Sequence, residues 1–212
     1  MSNVRAVLLD VFDTVLTVDF DAVLDGLAAA SGLTRSDWSE WGSAHGHEIM
    51  TGVVTPYEAF TATFRLAGKP PSDVESLVQR DAELLREHAT LYPDVIPFME
   101  EARRRGMVLA FVSNCAPNAG PLLQALGLVA RAEHVVLSCK VGSAKPDPGI
   151  YRSALAALRV DANEAVFVDD QVAYCSGAEA IGITAVRIDR RGGSSDSARS
   201  LTDVLPMLDD RT

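Results

Sequence analysis

Acidic and hydroxyl side chains follow several short apolar runs in this chain of 212 residues. They are Asp10 with Thr14 beyond it, Ser113 with Asn114, and Asp169 with Asp170. A short apolar run that ends at a polar residue is typical of a buried strand, and a carboxylate in that position stands where the strand leaves the core. There it is available to react with a ligand or to bind a cation, so we ask which elements would bring these residues together.

The second half of the chain alternates strands with helices. We predict strands at residues 108–114, 134–139, 165–170 and 184–188, and helices at residues 95–106, 120–127, 148–160 and 176–182. This alternation predicts an α/β fold with a doubly wound parallel sheet that is covered by helices on both faces. Ligands of such sheets bind at the carboxyl ends of the strands, where Asp10, Ser113 and Asp169 are expected.

The segment between the first strand and residue 88 has a helical pattern without a convincing strand. Helices are expected in residues 20–32, 55–68 and 72–89. Thr55 with Glu58, and Ser72 with Glu75, are spaced as capping boxes, and Pro56 suits a first helical position. We therefore predict a small all-helical cap at residues 17–88 and an α/β core made of residues 1–16 and 89–212.

Composition excludes several classes of partner. The formal net charge is −10 and no cationic stripe is present, which argues against nucleic acid or an anionic membrane as a partner. No run approaches the ~18 apolar residues of a membrane span, and the apolar run at the N-terminus is too short for a secretory signal. We expect a cytoplasmic protein that acts on a small molecule, and the sequence leaves its oligomeric state open.

Cysteine and histidine spacing gives no sign of a metal centre. The three cysteines lack a C-x-x-C spacing and are expected to be reduced thiols. His45 and His47 are two residues apart, so they do not share a helix face, and Gly46 between them predicts a break in the helix. We interpret both histidines as solvated side chains, with a role in substrate choice as the alternative.

The order of the motifs along the whole chain resembles the haloacid dehalogenase-like (HAD) hydrolase superfamily. "DVFDTVL" is similar to the first motif of that family, Ser113 in "FVSN" to the second, Lys145 in "SAKPDPGIY" to the third, and "VFVDDQVAYCSGAEAIG" to the fourth. A helical insert directly after the first motif is similar to the cap of the subfamily that holds dehalogenases and many small-molecule phosphatases. The resemblance implies a Rossmann-like core.

The resemblance also implies a catalytic role for several residues. Asp10 would be the nucleophile that forms a covalent aspartyl intermediate, which water then hydrolyses. Ser113, Asn114 and the turn around Thr14 would hold the transferring group by hydrogen bonds. Lys145 would balance the negative charge on Asp10 and on the substrate.

A magnesium site is implied in the same way. Asp169 and Asp170 would hold Mg²⁺, with Asp10 and the backbone carbonyl of Phe12 as its remaining protein ligands.

Phe12 departs from the commonest pattern of the family, D-x-D-x-T. The second aspartate of that pattern protonates the leaving group and later activates water, and Phe12 can do neither. Loss of a general acid typically costs about 10²–10⁴ in rate, so an unactivated alkyl phosphate would be a poor substrate. Dehalogenases of the family carry an aromatic residue there, because a halide leaves without a proton. A metal-independent 2-haloacid dehalogenase is therefore the rival hypothesis.

Two features favour a magnesium-dependent phosphatase over that rival. The dehalogenases have small polar residues where this chain has Asp169 and Asp170, and they place in the cap an arginine that is absent from residues 38–47. Three carboxylates at one edge with Lys145 alone against them would repel by about 4 kcal/mol per pair at ~4 Å and an effective dielectric near 20. A divalent cation removes that conflict.

A third hypothesis is a catalytically silent member used for binding or regulation. It would account for Phe12 and for Ala173 and Tyr174, which replace acidic and amide residues of the fourth motif. The substrate stays open. Trp38, Trp41, His45 and Tyr57 could face the cleft, but their helical spacing favours packing in the core of the cap itself.

Overall fold

The computed structural model describes residues 4–71, 73–192 and 197–209. A five-stranded sheet with the order β5-β4-β1-β6-β7 lies at the centre of the fold, and all its neighbouring strands run parallel. The strands are β1 Ala6–Leu9, β2 Leu16–Val18, β3 Ala89–Leu91, β4 Val108–Ser113, β5 His134–Leu137, β6 Ala165–Asp169 and β7 Thr184–Arg187. This parallel order confirms the predicted doubly wound sheet. Parallel neighbours need crossover connections, which are usually helices.

Helices lie on both faces of this sheet and in the segment between β2 and β3. They are α1 Phe20–Ser31, α2 Arg35–Met50, α3 Pro56–Leu66, α4 Val74–Glu87, α5 Val95–Arg104, α6 Ala119–Ala125, α7 Ser138–Val141, α8 Pro148–Leu158, α9 Val172–Glu179 and α10 Leu201–Asp209. No helix within the described residues is long and apolar enough to cross a membrane.

Alternate residues of each central strand pack into two separate hydrophobic cores. Leu9 and Phe111 point to the face that α5, α6 and α10 cover, and Leu8 and Phe167 point to the face of α8 and α9. Tyr151 of α8 is fully buried against the ring of Phe167, with the ring centroids 5.3 Å apart. Burial on both faces explains why these strands appear in the sequence as continuous apolar runs.

The helices α1 to α4 bury a third apolar cluster of their own. Trp38 of α2 packs edge-on against Phe60 and Phe64 of α3, and Leu84 of α4 closes the cluster. At α3 the expected capping box of Thr55 and Glu58 and the proline at the first turn are both present. The other expected box cannot be followed because Ser72 lies outside the described residues; at α4 the Asp73 side chain accepts from the Ser76 amide.

The expectation of an entirely helical segment from residue 17 is wrong at its edges. Leu16–Val18 and Ala89–Leu91 pair as a two-stranded antiparallel ribbon, through which the chain leaves the sheet and returns to it. Each strand has three residues and is largely half-buried, so neither gives a recognisable run in the sequence. The ribbon joins β1 to α1 and α4 to α5.

Two further expectations about local structure are wrong. Gly46 does not break the helix, because α2 runs unbroken from Arg35 to Met50. A glycine inside a helix costs only about 1 kcal/mol. The capping box at Thr34 and the burial of Trp38 and Trp41 offset that cost. The strand expected to reach Cys139 ends at Leu137, where the short helix α7 begins.

Candidate active site

The strand ends of β1, β4 and β6 meet at one edge of the sheet. β1 lies between the other two, with Leu9 beside Phe111 of β4 and Val168 of β6. The Asp10 amide donates to the carbonyl of Val168 at 2.9 Å, which holds Asp10 at the end of the pairing. Between β5 and β6 the chain crosses from one side of β1 to the other. Parallel α/β sheets bind their ligands at the strand ends beside such a crossing.

Three carboxylates converge at this edge. Asp10, Asp169 and Asp170 each offer one oxygen, and the three oxygens lie within 4.8 Å of one another. Burial raises the pKa of Asp10 to about 6, although Lys145 opposes the shift, and burial likewise raises the pKa of Asp169 and of Asp170. The site therefore holds more negative charge than its single buried ammonium balances, and a cation would relieve this.

Lys145 is buried between two of these carboxylates. Its Nζ donates to Asp10 Oδ1 and to Asp169 Oδ2, the latter at 2.6 Å, and the side chain is only 1% exposed. Burial disfavours the ammonium, but the charges of Asp10 and Asp169 outweigh this and hold the pKa of Lys145 above its ordinary value. Lys145 is thus a fixed positive charge beside Asp10.

Asn114 holds the backbone of the lysine. Its Nδ2 donates to the Lys145 carbonyl at 2.9 Å, and its Oδ1 accepts from the Lys145 amide at 2.7 Å. This pair of bonds links the end of β4 to the loop that carries Lys145, whose peptide bond to Pro146 is cis. One N–H of the Asn114 amide is left for another partner.

Two hydroxyls, one at the end of β4 and one in the turn after β1, have no hydrogen-bond partner of normal geometry among the described residues. Thr14 and Ser113 are completely buried, and neither hydroxyl makes a hydrogen bond of normal geometry with any part of the chain that the structure describes. Buried hydroxyls are nearly always hydrogen-bonded, so this pair indicates a place for an acceptor-rich ligand.

The turn after β1 is held by Arg190 from beyond β7. The guanidinium donates to the Thr14 carbonyl at 2.6 and 3.1 Å and to Asp94 at 2.7 Å, and it lies 4.2 Å from the ring centroid of Tyr92. Asp13 in this turn adopts φ 59° and accepts from the Thr17 hydroxyl. Arg190 therefore fixes the loop that presents Asp10 and Thr14.

Phe12, two residues after Asp10, forms part of a mainly apolar cavity of about 490 Å³. Its ring lies 6.0 Å from that of Phe20 of α1, centroid to centroid. Asn114 and Cys115 line the cavity from the sheet, and Leu24, Ile49, Met50 and Phe60 line it from α1 to α3. The cavity thus lies between the strand ends and the helices of the inserted segment.

Sequence reasoning missed two residues near the site. Arg190 gave no signal beyond its place in a short basic run after β7. Asp81 of α4 lines the cavity, and its spacing did carry a signal, because it lies four residues after Leu77 and three before Leu84 on the buried stripe. A carboxylate on the apolar face of a helix is uncommon enough to single out.

The aromatic residues considered for the cleft lie elsewhere. Trp38 packs in the core of α1 to α4, as the preferred interpretation expected, and Trp41 is buried and stacks on His45 with a centroid distance of 4.7 Å. Tyr57 is 52% exposed. The cavity is lined instead by the smaller apolar residues of α1 to α3, together with Phe20 and Phe60.

Comparison with known proteins identifies the class. The family model described as haloacid dehalogenase-like hydrolase matches residues 4–182. The chain therefore belongs to the haloacid dehalogenase-like hydrolases, and the family expected from the four motifs is confirmed.

Individual relatives carry the names of both phosphatases and dehalogenases. The chain is 36% identical over 121 residues to Phosphatase MT3486 of Mycobacterium tuberculosis, a match that spans 56% of each protein. It is 28% identical to (S)-2-haloacid dehalogenase 4A of Burkholderia cepacia over 98% of this chain and 96% of that protein. The crystal structure of a HAD phosphatase from Thermococcus onnurineus superposes with a TM-score of 0.67 at 27% identity, covering 96% of this chain and 97% of that one.

Proposed function

We propose that this protein is a magnesium-dependent phosphatase of small phosphorylated metabolites that uses Asp10 as its nucleophile. The observation that carries this proposal is the group of three carboxylates, Asp10, Asp169 and Asp170, with one oxygen of each within 4.8 Å. Two buried hydroxyls without partners, on Thr14 and Ser113, lie in the same region and could donate to phosphoryl oxygens.

The donor set at this edge suits magnesium. All the side-chain donors are carboxylate oxygens, which this hard cation prefers, and the negative charge in the site exceeds what Lys145 balances. We assign Asp10, Asp169, Asp170 and the backbone carbonyl of Phe12 as its protein ligands. Bound there, the ion would neutralise charge that develops on the phosphoryl oxygens.

The chain supplies the covalent step. An oxygen of Asp10 attacks phosphorus, the bond from phosphorus to the leaving oxygen breaks, and that oxygen keeps the electron pair. Water then attacks phosphorus in the aspartyl phosphate, the bond from phosphorus to the Asp10 oxygen breaks to return the free carboxylate, and the proton of the water passes to the phosphate product. Ser113, Thr14 and the remaining N–H of Asn114 orient the transferring group, while Lys145 offsets its charge beside Asp10.

Phe12 sets a condition on the leaving group. A phenyl ring donates no proton, so the leaving oxygen needs a low basicity of its own or a proton from the substrate or the helical segment. Activated phosphates, such as aryl and acyl phosphates, satisfy this condition.

A dehalogenase is the second candidate because Phe12 and a named relative favour it. Two features count against it. Among the described residues that line the cavity there is no lysine or arginine to take a halide, and without a metal Lys145 alone would balance the three carboxylates. A catalytically silent protein would not need three carboxylates and a buried lysine at one edge of the sheet, so this group of residues also counts against that alternative.

We further propose that α1 to α4 form a cap domain over this site. The division is residues 17–88 for the cap and residues 1–16 with 89–212 for the core. A separate apolar cluster within α1 to α4 supports it, as does the cavity between these helices and the strand ends.

Hydrolysis of aryl and acyl phosphates and of 2-haloacids, each with magnesium and with a chelator, tests the proposal. We expect phosphate release that requires magnesium and disappears in Asp10→Asn, because the amide has nearly the same shape but is not a competent nucleophile. Halide release that persists with the chelator would establish the dehalogenase instead, and the absence of turnover on the whole panel would favour a silent protein.

A further inference from the structure

The cavity beside Phe12 has one acidic group in an otherwise apolar wall. Its remaining lining is largely aliphatic and aromatic, with the amides of Asn114 and Asn118 and the thiol of Cys115 as polar exceptions. Asp81 is the one lining residue of those described that carries a carboxyl group. A volume of about 490 Å³ is in the range of pockets that hold small-molecule ligands.

One of the two oxygens of the Asp81 carboxyl has a hydrogen-bond donor within the described chain. Asn118 Nδ2 donates to Asp81 Oδ2 at 2.6 Å, and no donor of the described chain reaches Oδ1. Burial raises the pKa of Asp81 to about 6, with Asn118 opposing the shift, so the group is largely ionised at neutral pH. A carboxylate in an apolar wall is costly unless it is paired, and no cation of the described chain is paired with it.

We propose that Asp81 is a specificity-determining residue that accepts a hydrogen bond from a hydroxyl or ammonium group on an otherwise apolar leaving group. The inference deepens the proposed phosphatase function and rests on it. Phe12 and Asn114 form the end of the cavity nearest the reacting carboxylates, and the apolar wall of α1 to α3 receives the body of the leaving group. Asp81 of α4 then accepts a hydrogen bond from the polar end of the leaving group.

The same arrangement rejects anionic leaving groups. A second phosphate or a carboxylate in this cavity would meet the charge of Asp81 beside a mainly apolar wall, where like charges repel more strongly than in bulk water. No lysine or arginine among the described lining residues would offset that repulsion.

Kinetics with a matched series of phenyl phosphates that carry a short para-alkyl chain test the assignment, because an aryl leaving group needs no proton from the enzyme. The series carries a terminal methyl, hydroxyl, amino or carboxyl group, and a phosphate release assay gives kcat and KM for the wild type, Asp81→Asn, Asp81→Leu and the control Glu75→Gln. Glu75 is an exposed acid on the same helix that leaves the cavity untouched.

We expect the amino or hydroxyl compound to have a kcat/KM about 10-fold above that of the methyl compound in the wild type and in Glu75→Gln, and Asp81→Leu to erase the difference through KM. Asp81→Asn distinguishes the two donors. An amide oxygen still accepts from a hydroxyl, so a preference kept in that variant identifies a hydroxyl, whereas a lost preference identifies an ammonium. The carboxyl compound should be the poorest substrate of the wild type.

Equal preferences in the wild type and Asp81→Leu would overturn the assignment. So would a fall in kcat confined to alkyl phosphates, since that result would make Asp81 a proton donor. Calorimetric binding of the matching amino-, hydroxyl- and methyl-terminated phenols needs no turnover, and it should show the same order and the same loss in Asp81→Leu. If acetyl phosphate is not hydrolysed by the wild type, the proposed function fails while this binding result still decides the role of Asp81.

Discussion

At the scale of single residues, we propose that Phe12 restricts the leaving group to one that needs no proton from the protein. It stands two residues after Asp10, where most members of the family that the motifs resemble carry an acid and base. Its ring lies instead in the cavity wall, 6.0 Å from that of Phe20. The site thus combines a carboxylate cluster that could hold a metal ion with an apolar residue that donates no proton.

The substitution Phe12→Asp should restore a proton donor. We expect hydrolysis of unactivated alkyl phosphates to rise by up to about 10²-fold, with little change for aryl or acyl phosphates, because only the former need a proton. The ratio of alkyl to aryl rates is the quantity to measure, once circular dichroism and magnesium binding show that the variant is folded and loaded. An unchanged ratio in such a variant would show that Phe12 does not have this role.

Asp81 should make stability depend on pH in a recognisable direction. Its pKa is raised from 3.8 to about 6, so the folded protein holds this proton more tightly than the unfolded chain does. The contribution to stability is greatest below pH 3.8 and falls as the pH rises towards 6, by about 3 kcal/mol at most. The free energy of unfolding of Asp81→Asn, measured with urea, should therefore rise relative to that of the wild type between pH 4.5 and 7. A constant difference across that range would contradict the burial of this carboxyl.

Prediction from the sequence succeeded for residues whose position follows from strand geometry. Asp10, Ser113 and Asp169 could be placed together because carboxyl ends of adjacent parallel strands meet at one edge. The contacts of Lys145 could not be placed in this way, because they depend on a loop that Asn114 holds from another strand. Such contacts across long sequence separations leave no periodic pattern.

At the scale of elements, three loops from distant parts of the chain meet at the site. The turn after β1 carries Thr14, the loop before α8 carries Lys145, and the segment after β7 carries Arg190. Arg190 ties the first of these to the last through two bonds to one carbonyl. The turn that follows Asp10 is therefore linked to the segment after β7, although that segment supplies no reacting group.

Arg190→Lys should weaken this link. An ammonium cannot reproduce the two-pronged contact with the Thr14 carbonyl while it also bonds Asp94, so we expect a loss of about 1–2 kcal/mol in unfolding free energy and a lower kcat. Arg191→Lys is the matched control, because the Arg191 side chain is 86% exposed. If both variants unfold and turn over like the wild type, Arg190 does not hold the turn.

Elements with a clear apolar run or cap signal were predictable, whereas α2, with 16 residues, and several short elements were not. The sheet strands β4 to β7 and the capping box of α3 follow from apolar runs and cap residues. The two strands of the ribbon have three residues each, and α7 has four, which is too short for any period to appear. α10 was not predicted, and it contains Pro206, which argues against a helix in sequence terms.

At the scale of the whole molecule, magnesium should stabilise the fold through the carboxylate cluster. A ligand that binds only the folded state at ten times its dissociation constant adds about 1.4 kcal/mol. We expect the thermal midpoint of the wild type to rise with magnesium chloride and not with sodium chloride of equal ionic strength. Asp169→Asn should lose this response, and an equal response in that variant would exclude Asp169 as a ligand.

The most direct test of the central claim is mass spectrometry of the enzyme quenched in acid during turnover of an aryl phosphate with magnesium. Splitting the reaction at an aspartyl phosphate predicts a phosphoryl group on the peptide that contains Asp10, together with a burst of the released phenol. Asp10→Asn should show neither. Steady turnover with no burst and no phosphoryl group on that peptide would contradict the account, as would an alkyl group found on Asp10 after turnover of a 2-haloacid.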